Sequence, residues 1–158
     1  MARVTSAFFD TSILVGGLIE LGTADTPAQR LMDAVAQRRL LAQTAWHCCL
    51  EFYSVATRLP EEFRLSPVDA LRLVEEEVLG RFKVHQLPEK AQRAFLRSAQ
   101  QERAVGGRIY DAHIAEIARV SGAKTVVTDN ARHFNSLPTH GISVLTAKEC
   151  LEASGVRT

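Results

Sequence analysis

The chain has 158 residues, 46% of them hydrophobic, and 19 lysines and arginines against 18 aspartates and glutamates give it a net charge of +1. That length and composition suit one ordinary folded domain over 1–158 with a true apolar core, and they exclude a mainly disordered chain. The near-zero charge excludes a polyanion-binding coat or a membrane-surface patch, so any contact with nucleic acid has to be local.

In chain order, "MARVTSAFFD" lacks the long apolar region of a secretory leader, and its second half reads as a strand over 5–9. Helical patterns are expected over 12–21 and 26–37, then a strand at "RLLAQ" (39–43) and helices over 44–58 and 66–79. Ser66 and Pro67 are placed to cap and open the second of these, Leu71, Val74 and Val78 form its apolar stripe, and Glu75, Glu76 and Glu77 form its solvated face. A strand at 82–86 and a helix over 88–104 follow, with Gly106-Gly107 as the stop signal. The chain closes with a helix over 108–121, strands at 124–128 and 142–146, and a last helix from about 147. Short apolar runs alternating with helices predict an α/β fold, a mainly parallel central sheet of four to five strands flanked by helices. Cys48, Cys49 and Cys150 make neither an even disulfide set nor a CxxC pair, so they read as buried thiols in a reducing compartment. No apolar run approaches the roughly 20 residues that span a bilayer, and a cytoplasmic protein without membrane contact is expected.

Four polar positions break this scaffold. Asp10 ends the first strand in "AFFDTSILV"; Glu51 lies among Trp46, Leu50, Phe52 and Val55; Asp111 shares a helical face with Ile114, Ala115 and Ala118; Asp129 and Asn130 follow "KTVVT". An isolated buried carboxylate costs several kcal/mol or more, so Asp10 needs a partner, a cation or a proton. In parallel sheets the carboxyl ends of the strands form the functional edge, where Asp10 and Asp129-Asn130 both fall. If Glu51 and Asp111 lean over the same edge, the acids repel one another unless a hard divalent cation sits among them. Mg²⁺ or Mn²⁺ suits such oxygen ligands, whereas zinc does not, since no histidine or cysteine cluster has ligand spacing.

Each acid also has an ordinary reading. Asp10 or Asp129 alone is a turn or cap residue, Glu51 a helix ion-pair partner for Arg58, and Asp111 a complement to a helix dipole. Ser12 reads as the N-cap of the first helix and Arg108 and Arg132 as phosphate contacts or solvated arginines. Tyr53 and Tyr110 read as base-stacking or, more ordinarily, core residues, and the five histidines are scattered without an assignment.

These stretches together resemble the PIN-domain ribonucleases, most closely the VapC-type toxins of toxin–antitoxin pairs. "FFDTSILV" is similar to the family's opening D-x-S/T motif, "LEFYSVATRLP" to its glutamate helix, "GGRIYDAHIAEIA" to its central aspartate helix and "VVTDNARHF" to its T-x-D/N segment. The resemblance implies Asp10, Glu51 and Asp111 as the acidic, metal-holding core, with the Ser12 hydroxyl in support. It places Asn130, two residues after Thr128, where the family usually has a fourth acid, with Asp129 as the alternative. It implies Mg²⁺- or Mn²⁺-dependent hydrolysis of RNA, a homodimer, and a cognate antitoxin that lays a helix and a tail in an apolar groove, for which Phe52, Leu59, Phe63, Leu65 and Leu71 are candidates. Two other readings stay open. One is an aspartate-based Mg²⁺ phosphotransferase, which would want a second aspartate where Ser12 stands; the other is a degenerate PIN scaffold that binds RNA or a protein without cutting.

Overall fold

The computed structural model describes residues 2–156. Five parallel strands, β1 (Ser6–Phe9), β2 (Leu41–Ala45), β3 (Lys83–His85), β4 (Thr125–Val127) and β5 (Ser143–Leu145), form one sheet in the order β3-β2-β1-β4-β5. Helices α1 (Thr11–Leu18), α2 (Pro27–Ala36), α3 (Trp46–Ala56), α4 (Pro67–Leu73), α5 (Glu89–Gln101), α6 (Arg108–Val120) and α7 (Ala147–Ser154) connect and flank the strands. This is the α/β architecture that the alternating pattern predicts.

The chain first builds outward from β1 through β2 to β3, then returns to the other side of β1 for β4 and β5. The carboxyl ends of β1 and β4 therefore flank the point where the winding reverses, the place where sheets of this kind leave a crevice between diverging connections. Beneath it lies the core: Phe8, Phe9, Ile13, Leu14, Leu31, Phe52, Ile114 and Ile117 are all buried. Phe9 also meets Phe82 edge to face at 5.2 Å. Cys48, Cys49 and Cys150 are buried free thiols, and burial pushes the Cys48 thiol up to about 12.

Local chemistry sets the element ends. Thr26 with Gln29, and Thr146 with Glu149, form reciprocal capping boxes on α2 and α7. The Ser66 hydroxyl accepts from the Asp69 amide, so the Ser66-Pro67 start of α4 is as expected. Other boundaries differ. β2 runs over Leu41–Ala45, two residues beyond the expected 39–43, because Arg39 belongs to the turn after α2, and α3 consequently starts at Trp46. The helix expected over 66–79 is α-helical only to Leu73 and continues as π-helical turns over Val74–Leu79. Its Val74 and Val78 are buried as expected, but Leu71 is exposed. Gly106-Gly107 do not stop α5. That helix ends at Gln101 with Arg103 in the left-handed region (φ 55°), and the Ala104 amide donates back to the Ala99 carbonyl.

The contact of α1 with α2 rests on Gly17. A Cβ there would run into Met32 Cγ and lie 2.9 Å from the Ala28 carbonyl oxygen, whereas one on neighbouring Gly16 would meet only Ala28 Cβ at 3.6 Å. Gly17→Ala should therefore destabilise the fold by about 1–3 kcal/mol, an overpacking cost. Gly16→Ala should be neutral or stabilising by up to about 1 kcal/mol through helix propensity. Thermal melts of the two variants check the contrast, and equal melting temperatures would refute the close approach.

Candidate active site

Asp10 leaves the end of β1 as the N-cap of α1, with its own amide donating to the Val127 carbonyl, which extends the β1–β4 ladder by one step. The residue is only 4% exposed. Two hydroxyls converge on the same oxygen: Thr128 Oγ1 donates to Asp10 Oδ2 at 2.8 Å and Ser12 Oγ at 3.1 Å. Each hydroxyl in turn accepts a backbone N–H from the loop after β4, Ser12 Oγ from Asp129 and Thr128 Oγ1 from Asn130, at 3.1 and 3.0 Å. Ser12 thus lies inside α1 and does not cap it; the hydroxyl that would have capped the helix supports Asp10 instead. Burial raises the Asp10 pKa, with the Thr128 and Ser12 hydrogen bonds opposing the rise and the Glu51 charge adding to it.

The next residue, Thr11, is buried, and its Oγ1 has no hydrogen-bond partner among the described residues. Glu51, on α3, is half-buried and pairs with His47 one turn earlier, His47 Nε2 lying 2.8 Å from Glu51 Oε1. That hydrogen bond holds the Glu51 pKa below the usual range. The expected partner Arg58 contributes only a minor charge effect, because His47 is on the same helix face and nearer. Nor is Glu51 set in a uniformly apolar environment, since Trp46 and Leu50 are 43% and 58% exposed.

Asp111 stands in the first turn of α6, half-buried, with Ile114, Ala115 and Ala118 of its face in the core. His133, in the 3₁₀ turn Ala131–Phe134 after β4, brings Nδ1 to 3.0 Å of Asp111 Oδ2. Burial still leaves the Asp111 pKa raised, the His133 charge opposing and the Glu51 charge assisting. Asp10, Glu51 and Asp111 therefore share one edge within electrostatic reach, with Glu51 felt by both of the others. They do not close on each other. Among the described residues, no three acidic, histidine or cysteine side chains stand close enough to form a ready-made metal cage; Glu51 and Asp111 each face a single histidine.

At the fourth position, Asp129 and Asn130 are both exposed, and their backbone amides carry the bridge to Asp10. Asp129 borders a separate hollow with Gly16, Thr26 and Lys148. Arg108 and Arg132 line a cavity of about 380 Å³ together with Asp111, His133 and Arg103. Tyr53 and Tyr110 are 39% and 58% exposed and do not lie in the core. Of the groove candidates, Phe52 is buried, Leu59 and Leu65 pack half-buried against the core, Phe63 is half-buried, and Leu71 is the exposed one.

Three histidines at the site go unassigned in the sequence: His47, His113 and His133. His47 carries a signal, since it stands four residues before Glu51 on an expected helix. His113 and His133 carry none, because their neighbours come from other elements.

The donor set nevertheless suits a hard divalent cation. It is made of carboxylates and hydroxyls, the buried Thr11 hydroxyl, which makes no geometric hydrogen bond, is near enough to Glu51 to favour its charged form, and burial raises two of the three acids in a way that a nearby positive charge would relieve.

The parallel sheet, its reversal point and the acids on its carboxyl edge define an α/β protein with an acidic crevice. The family model described as PIN domain matches residues 6–132, and the chain belongs to that family. It is 32% identical over 138 residues to ribonuclease VapC27 of Mycobacterium tuberculosis, covering 87% of this chain and 94% of that protein. Among solved structures, DNA-bound VapBC from Salmonella typhimurium matches with a TM-score of 0.60 at 20% identity, over 93% of this chain and 99% of that one. VapBC2 from Rickettsia felis, bound to a promoter DNA fragment, matches with a TM-score of 0.60 at 14% identity, over 89% and 98%. FitAcB from Neisseria gonorrhoeae matches with a TM-score of 0.56 at 18% identity, over 90% and 98%. These three show the shared fold.

The raised pKa of Asp10 sets a pH dependence. The native state keeps this proton at a pH where the unfolded chain has released it. Asp10 therefore contributes stability below the ordinary carboxylate range and loses it as pH rises through the native pKa. In chelator, Asp10→Asn should flatten that decline and melt no lower than the parent at pH 7. A lower melting temperature across the whole range would contradict the assignment.

Proposed function

We propose that the chain, as one nuclease domain over 1–158, is a Mg²⁺- or Mn²⁺-dependent endoribonuclease that hydrolyses RNA phosphodiester bonds in the cytoplasm as the toxin of a toxin–antitoxin pair. The observation that carries this reading is the buried Asp10 at the reversal point, with Glu51 and Asp111 sharing its field. Family membership and the ribonuclease relative supply the class of reaction. Among the described residues no helix is long and apolar enough to cross a membrane.

Asp10, Asp111 and Glu51 would hold the ion. When bound, it would offset charge on the phosphate and make a water more acidic. Glu51, kept ionised by His47, accepts a proton from the attacking water, and Asn130 or Asp129 orients that water from the loop after β4. Ser12 and Thr128 hold Asp10 in place while this happens. Arg108 and Arg132, on the cavity that begins at Asp111, bind flanking phosphates. Such a hydrolysis leaves a 5′-phosphate and a 3′-hydroxyl. The phosphotransferase reading loses ground because Ser12, where a second aspartate would serve as acid, has its hydroxyl committed to Asp10.

The antitoxin and a second copy of the chain are the proposed protein partners. Trp46, Leu50 and Tyr53, spaced along the outer face of α3 and all exposed, support cover by protein. Size-exclusion chromatography of the isolated chain should give a dimer; a monomer at high concentration would oppose that part.

Asp10→Asn and Asp111→Asn should each lower RNA cleavage at least about 100-fold, the scale of losing one charge-stabilising group, while the protein stays folded. Chelator should abolish the parent's cleavage and Mn²⁺ restore it, with no turnover of a small phosphomonoester. Both variants cutting RNA at the parent's rate would leave a binding scaffold as the better account.

A further inference from the structure

His47 is engaged on both sides of its ring. Nε2 faces Glu51 Oε1 at 2.8 Å, and Nδ1 faces Nδ1 of His113, on α6, at 2.7 Å. A carboxylate only accepts, so His47 Nε2 carries a hydrogen. With His47 neutral, its Nδ1 is then an acceptor, and His113 donates Nδ1–H. In that tautomer the hydrogens run in one direction, from α6 through His47 to Glu51. The pair is also packed: Phe95, on α5, lies 5.2 Å from the His113 ring, and Tyr110 lies 5.6 Å from the His47 ring. The His47 side chain is 14% exposed, against 40% for His133 on Asp111.

An exposed partner that merely neutralised Glu51 would be free to swing away. His47 is not, because a second helix holds it. It uses one carboxylate oxygen and leaves the other available to a cation, which is how outer groups orient metal-binding carboxylates.

We propose that His47 is the positioning residue of the site, fixed by His113, and that the Glu51–His47–His113 chain sets the orientation in which Glu51 meets the divalent cation. The inference rests on the reading of Asp10, Glu51 and Asp111 as a cation site. It excludes the opposite role, in which His47 competes with the cation for Glu51.

Calorimetric titration of Mn²⁺ into the purified, metal-free chain decides between these roles, with RNA cleavage and thermal melts in parallel. His47→Leu should weaken Mn²⁺ binding by about 10- to 100-fold and lower cleavage with it. His47→Gln keeps a donor one turn before Glu51 and should regain most of both, and His113→Leu should show a smaller loss. Parent-like Mn²⁺ affinity in His47→Leu, tighter binding, or a loss that Gln fails to regain at an unchanged melting temperature would each overturn the proposal. The Asp10→Asn variant separates the two levels. If it binds Mn²⁺ as the parent does, the cation site itself is misplaced and the inference falls with it. If it loses Mn²⁺ while His47→Leu does not, only the role of His47 fails.

Discussion

The carboxylate of Asp10 is the constraint around which the crevice is arranged. It sits where β1 ends and the sheet's winding reverses, almost fully buried, and an anion there is tolerated only if its oxygens are satisfied. Satisfaction comes from Ser12 and Thr128, each of which relays a backbone N–H of the 129–130 loop to the carboxylate. The two bridges tie the first turn of α1 to the end of β4, elements 118 residues apart in sequence at the Thr128–Asp10 contact. The loop after β4 is thus shaped by Asp10, and with it the turn that carries Arg132 and His133.

Much of this was legible in the sequence because it depends on local order. Apolar runs such as "TSAFF" and "KTVVT" are buried on both faces in a parallel sheet, so they read without ambiguity, and the Asp that follows such a run stands at its carboxyl end by construction. Ser66-Pro67 likewise needs only its own neighbours to begin a helix. The misreadings have a common cause in tertiary context. Arg39 and Leu40 look like strand residues, yet their amides close the turn after α2. Gly106-Gly107 look like a stop, yet Arg103 takes the left-handed position first, because the Schellman-type bond from the Ala104 amide to the Ala99 carbonyl ends α5 there. The His113 and His133 contacts join α6 to α3 and to the turn after β4, and no spacing in the sequence encodes such meetings.

The acids show the same division. Their placement on one edge follows from the order of strands and helices, whereas the way each relieves its charge does not. Glu51 and Asp111 each turn to a histidine, while Asp10, with no base beside it, relies on hydroxyls. Hence the three differ electrostatically although they share a field: Glu51 is pulled toward the ionised form by a donor, and Asp10 and Asp111 are pushed toward the protonated form by burial. Three carboxylates that look alike in the sequence therefore become a set of unequal groups, and the inequality comes from neighbours that the fold, not the spacing, brings to each one.

Helix α3 gathers these threads. Cys48, Cys49, Phe52 and Ala56 face the core, Trp46, Leu50 and Tyr53 face outward, and His47 and Glu51 lie along the border between the two faces. A single helix thus anchors the fold, orients an acid of the crevice and exposes an apolar stripe. Core packing fixes the helix's rotation, and that rotation aims both Glu51 and the stripe, since side chains at fixed helical angles cannot be re-aimed independently. Protein bound over Trp46 and Leu50 would lie within one turn of His47 and Glu51. Cover of the stripe would therefore place protein beside an acid of the site, through the geometry of one element.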